Sequence, residues 1–197
     1  MSDRYVQRER ARGTERTAAA IQAAALRELS MRGYRALRLE DVARRARVAR
    51  RTLYLHAASK ERLVERALRG RAEGLVRRVE RWRPRADGAE EVIEELVALH
   101  ARSYRAEKAL LDTLLDGGLP RSGTVILREL DAVRLEIISR TMTDLARQGA
   151  LRIRTTEATA LAHALLAYPT WRVALTGPAG RRAQRVLTAA LRTSVLV

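Results

Sequence analysis

Apolar positions recur at helical spacing along most of the chain. Ile21, Ala24, Ala25 and Leu29 share one face of a helix expected from about Arg16 to Arg32, and Gly33 follows as a left-handed stop. A short helix is expected over Leu39–Ala46, with Leu39, Val42, Ala43 and Ala46 inward. The turn Arg47-Val48-Ala49 leads to another short helix over Arg50–His56, with Leu53 inward. Ser59 reads as the cap of a longer helix from Lys60 to about Arg81. Further helices are expected at Ala89–Arg105, Glu107–Asp116, Thr124–Gln148, Thr156–Thr176 and Arg181–Leu196, with Pro169 bending the one that contains it. Gly and Pro clusters at 117–123 and 177–180 mark loops, and Gly149 ends a helix. The pattern is all-α, about nine helices, with no internal repeat.

Composition agrees. Hydrophobic residues make up 47% of the 197 and charged ones 31%, and four prolines interrupt them. Ala, Leu, Arg and Glu, all good helix formers, dominate. Phe is absent, so cores must be aliphatic. Cysteine is absent as well, which excludes disulfides and thiolate chemistry. No two histidines stand at i, i+4, so no metal site is expected. No apolar run approaches the length of a membrane span, and the polar start MSDRYVQRERARGTER is not a secretory signal, so a cytoplasmic protein with no membrane partner is expected.

Charge sharpens the picture. The net charge is +16; residues 1–80 carry +11 of it and residues 81–197 carry +5. Such asymmetry suits a polyanion partner at the N-terminal end. With 37 Arg against two Lys, composition bias also supplies part of the excess. Residues 1–15 read as a flexible basic arm that either enters a minor groove or makes no contact.

The stretch Ile21-x-x-Ala24-Ala25-x-x-x-Leu29-x-x-x-Gly33-Tyr34, followed by Leu39-x-Asp41-Val42-Ala43-x-x-Ala46-x-Val48-x-x-x-Thr52-Leu53-Tyr54-x-His56-x-x-Ser59-Lys60-Glu61-x-Leu63, resembles the tetracycline-repressor (TetR) family of bacterial transcription regulators. The resemblance implies a helix-turn-helix DNA-binding head over 16–62 and an effector-binding, dimerising body over 63–197. By position, Arg50, Arg51 and Thr52 would read bases, while Tyr54, His56, Lys60, Arg38 and Arg47 would hold phosphates. Arginine suits guanine O6 and N7, and Tyr, His and Lys supply donors to backbone oxygens. The chain departs from the family pattern at Leu29, Arg38, Arg47, Ala49 and Ala57, two of which remove helix caps.

In the body, Trp82, His100, Tyr104, Leu114, Ile137 and Trp171 are candidate effector-pocket residues. His100 and His163 equally fit interior or interface positions. Leu161, Leu165, Tyr168, Leu187 and Leu191 are candidates for a homodimer interface made by the last two helices. The resulting expectation is a non-enzymatic, ligand-responsive regulator, a repressor, without a cofactor. It would bind a palindromic operator in double-stranded DNA as a homodimer and be released by a small-molecule effector of unknown identity. The alternative is a weakly sequence-specific architectural DNA binder using the same head.

Overall fold

The computed structural model describes residues 3–116, 119, 121–175 and 180–197. Among these the chain forms α1 (Asp3–Ala36), α2 (Leu39–Ala46), α3 (Arg50–His56), α4 (Lys60–Glu80), α5 (Ala89–Asp116), α6 (Arg121–Arg147), α7 (Thr155–Leu165), α8 (Tyr168–Leu175) and α9 (Gly180–Val195). The protein is all-α. The non-helical pairing among the described residues is one isolated antiparallel bridge, Leu151 with Leu196. Of the loops expected at 117–123 and 177–180, residues 117, 118, 120 and 177–179 lie outside the described residues, whereas residues 121–123 and Gly180 are helical.

Three further boundaries differ from the pattern-based expectation. The segment expected as a flexible arm is the start of α1, which begins at Asp3. Its described side chains are exposed up to Arg16, so nothing is buried there to mark it in the sequence. The helices expected on either side of Arg105 are one helix, α5, because nothing in Tyr104-Arg105-Ala106-Glu107 stops a helix. The single helix expected over 156–176 is two, α7 and α8. Proline forces this, since it cannot donate to the preceding turn and is accepted in the first turn of a new helix.

Gly33 acts as expected. It holds φ 74° and ψ 167° and interrupts the helical run of α1. Gly149 has φ 69° just after α6.

The chain divides into two compact units. The first is Met1–Glu73 with Ala109–Leu127; the second is Gly74–Lys108 with Arg128–Val197. The expected boundary at 62/63 therefore falls inside α4. Physically, Leu63, Val64, Ala67 and Leu68 are as buried as Ile21, Leu29 and Leu53, and belong to the first unit. In that unit α1 packs on α2, and α2 on α3. Thr113 joins from the distant segment by donating to the Ser30 carbonyl at 3.0 Å. The second unit buries Ile93, Leu96, Ile137, Ile138, Leu145, Leu166, Trp171, Leu191 and neighbours in one apolar cluster.

Candidate nucleic-acid interface and effector site

Neither short helix of the head has a capping side chain. Arg38 before α2 and Ala49 before α3 are extended but offer no cap hydrogen bond. Arg47, in the turn, takes the left-handed conformation (φ 57°) that glycine adopts more easily. Long cations compensate at other helix ends. Lys60 donates to the Arg35 carbonyl at 3.1 Å and lies 4.6 Å from the Tyr34 ring centre. Arg66 donates to the His56 carbonyl at 2.7 Å, at the end of α3. Ser59 caps α4 as expected, accepting from the Arg62 N–H at 3.2 Å.

Ion pairs tie α1 to α2. Glu28, with its side chain 3% exposed, receives Arg45 Nε at 2.6 Å on one oxygen. Its other oxygen meets Arg32 Nε at 3.1 Å as an ion pair that lacks hydrogen-bond alignment. Arg32 also reaches Asp41 at 2.9 Å, and Arg44 pairs with the same carboxylate. Arg44 and Arg45 are thus committed to structure.

The outward face of α3 follows from Leu53, which is 1% exposed. At about 100° per residue, Arg51 and Leu55 point opposite to it, flanked by Thr52 and Tyr54. Leu55 is 79% exposed and Tyr54 49%. Arg38, Arg47, Arg50 and Arg51 are exposed, whereas Thr52, His56 and Lys60 are half-buried. Arg51 makes no hydrogen bond or ion pair with any described residue, while Arg50 pairs with Glu40 of α2. The Glu40 carboxyl is held below its ordinary value, first by its own backbone N–H and then by the Arg50 guanidinium. Neither Glu40 nor Leu55 is among the residues that the sequence singles out. The helical period alone would have found Leu55, but no local signal links Glu40 to a residue ten positions on.

In the second unit an aromatic seam runs through the core. The Tyr104 ring centre lies 6.0 Å from His100, 5.1 Å from Tyr168 and 6.2 Å from Trp171. Tyr104 Oη donates to the Leu166 carbonyl at 2.7 Å, and burial pushes its phenol up to about 12. His100 is 6% exposed, and burial pushes its imidazole down to about 4. The neutral ring must carry its proton on Nδ1, which faces the Leu96 carbonyl at 2.8 Å. Trp171 is fully buried, and its Nε1–H has no partner among the described residues.

Arg134 donates to both the carbonyl and Nε2 of His163 at 2.7 Å, and to Asp131. An arginine only donates, so His163 Nε2 accepts from it, and Asp131 Oδ1 lies 3.4 Å from the same nitrogen. Among the described residues no group of His, Asp and Glu is placed to hold a metal, and no helix is long and apolar enough to cross a membrane.

Residues 21–67 match the family described as bacterial regulatory proteins, tetR family. Over that stretch the chain carries a TetR-family DNA-binding head. Solved structures with the same fold cover nearly its whole length. A transcriptional regulator from Saccharomonospora viridis, solved with choline, has a TM-score of 0.77 at 20% identity, covering 91% of this chain and 97% of its own. A TetR transcription regulator from Haloarcula marismortui ATCC 43049 has a TM-score of 0.74 at 13% identity over 91% and 98%. FadR from Bacillus subtilis, solved with stearoyl-CoA, has a TM-score of 0.70 at 17% identity over 89% and 97%. No curated protein matches.

The second unit does not gather all of the expected body residues. Ile137 and Trp171 fall in its core, Tyr104 and Trp82 pack against that core, and His100 is buried beside Tyr104. Leu114 is buried in the first unit. Of the expected interface residues, Tyr168 (7% exposed) and Leu191 (0%) are interior to their own body and have no surface to offer a second copy. Their helices turn those positions inward, which the apolar pattern cannot distinguish from a face turned toward a partner. Leu161, Leu165 and Leu187 are half-buried against the same cluster.

Proposed function

We propose that this DNA-binding transcription regulator is a cytoplasmic, ligand-responsive repressor that binds a palindromic operator as a homodimer. The observation that carries the DNA-reading part is the outward face of α3, where Arg51 is exposed and uncommitted directly opposite the buried Leu53. On this reading Arg50, Arg51 and Thr52 meet base edges, with Leu55 available for a thymine methyl. Tyr54, His56, Lys60, Arg38 and Arg47 hold phosphates. The ammonium of Lys60 keeps donors beyond the one used on Arg35, so it can serve both roles. Two heads would address half-sites roughly 34–36 Å apart.

For dimerisation the exposed positions of α7 and α9 serve better than the buried ones. Ala160 and Ala164 on α7, with Val186 and Ala189 on α9, lie on the surface of two helices that pack together. Small side chains there allow the close helix approach of a bundle between subunits.

The effector site is assigned to the aromatic seam around Tyr104 with Trp82, Ile137 and the unpartnered Trp171 N–H. The Arg134 charge acts on both His100 and Tyr104, while the Asp131 carboxylate paired with it acts on Tyr104 alone. That disfavours a cationic effector and favours a neutral or anionic one with an acceptor for the indole N–H.

The test has two arms. Full-length protein is used to select duplexes from a random pool, and affinities are then measured for single-base variants over a range of salt. Arg51→Ala should relax preference at one base pair, while Lys60→Ala should weaken all duplexes alike and flatten the salt slope by about one. Sequence-blind losses in both would return the architectural reading. In the second arm, melting temperature is followed with choline and with a long-chain acyl-CoA. Stabilisation by choline alone would sink the anionic assignment.

A further inference from the structure

We propose that Glu40 is a positioning residue for sequence specificity: its carboxylate orients the Arg50 guanidinium for one guanine, and the two side chains enter the groove as a pair. The proposal rests on the base-reading role given to Arg50 above.

The position of Arg50 makes such a partner useful. It opens the recognition helix, where residues of a helix-turn-helix meet base edges. Yet by helical geometry it lies only about 60° from the direction of Leu53, on the flank of α3 rather than on the outer ridge held by Arg51 and Leu55. A free arginine there would spread over many rotamers, most of them aimed away from the groove. Glu40 removes that freedom, because Arg50 Nη2 donates to its Oε1 across the two helices. A guanidinium carries five N–H donors in a fixed plane, so a carboxylate on one of them leaves an edge able to span guanine O6 and N7.

The acids around it set Glu40 apart. Glu28 and Asp41 are turned inward, and they hold Arg32, Arg44 and Arg45 in the packing of α1 against α2. Glu40 instead stands at the surface, its side chain 45% exposed beside an Arg50 that is 67% exposed. A bare carboxylate facing DNA phosphates is repelled, and one covered by arginine is not. The hydrogen bond from Arg50 Nη2 links the two side chains directly, so they can approach the duplex as a pair. Arg51 has no such partner, so the two neighbouring arginines differ in kind: one pre-oriented, one adaptable.

The test uses the full chain and a duplex selected from a random pool, with every base of the half-site varied singly. Glu40→Gln, Arg50→Ala and the double variant are compared by competition binding, with denaturation midpoints measured alongside. The expected result is that Glu40→Gln lowers the preference for guanine at one position by about tenfold. Arg50→Ala should lose the same preference, the double variant should be no worse, and the affinity of Glu40→Gln for random duplex should hold or rise. Three outcomes overturn the proposal. Glu40→Gln could leave the preference intact while Arg50→Ala abolishes it, so that Arg50 reads unaided. Glu40→Gln could tighten all duplexes equally, making Glu40 a mere repulsion. It could also lower stability with no change in base preference, making the pair a pin between helices. If Arg50→Ala itself leaves every preference unchanged, it is the base-reading assignment of Arg50 that fails.

Discussion

At the scale of single residues, His100 shows most directly how burial alone sets chemistry. Its ring is interior to the second unit, close to Tyr104 and within the field of Arg134 and His163. Removing it from water disfavours the charged form and pushes it down to about 4. Between that value and the ordinary 6.5, the unfolded chain binds more protons than the native one, so stability rises with pH across this window. The His100 contribution is complete above about pH 6.5 and is lost as pH falls toward 4. Its expected size is about 2 kcal/mol less stability at about pH 5 than at pH 7. Urea denaturation at the two pH values, for the wild type and for His100→Leu, checks this: the variant should lack most of the difference. A variant with the same pH dependence would place the titration elsewhere.

Helix ends decide matters at the scale of elements. Gly33 interrupts α1 at a positive φ that other residues resist. A Cβ there would meet only Thr113 Cγ2 at 3.7 Å, an ordinary contact, so the cost of Gly33→Ala is backbone strain rather than a clash. A loss of about 1–3 kcal/mol in chemical denaturation is expected. Arg38 gives the opposite case. It stands at the N-terminus of α2 without capping it, so Arg38→Thr should stabilise the protein by about 1 kcal/mol. The same variant should bind selected duplex more weakly if Arg38 contacts a phosphate. Thermal melts and binding curves on one preparation separate the two effects. The head thus trades caps for surface arginines, and its remaining helix ends are closed by Lys60, Arg66 and Ser59.

For the whole molecule, the composition of the first unit matters most. It is not a contiguous N-terminal domain, because Ala109–Leu127 belongs to it and carries the buried Leu110, Leu114 and Ile126. A fragment of residues 1–73 would lose those side chains and the Thr113 bond to Ser30. It should therefore melt well below the full chain in circular dichroism. A fragment with the same midpoint would show that the added segment contributes nothing to the head.

Some of this was legible in the sequence for a definable reason. The helices α2 and α3, the turn between them and the Ser59 cap depend on neighbours within four positions, and the head motif packs many such signals into one stretch. The sequence by itself therefore determined an all-helical chain, the TetR-family head over residues 21–67 and which residues open α3. Only tertiary structure decided what those residues touch. It brought Glu40 to Arg50, turned Tyr168 and Leu191 into their own core, and joined Tyr104 to Leu166 across 62 positions and Arg192 to Glu94 across 98. The physical reason is that helical periodicity reports which face of a helix is apolar, while the partner that covers the face is set by packing between segments far apart in the chain.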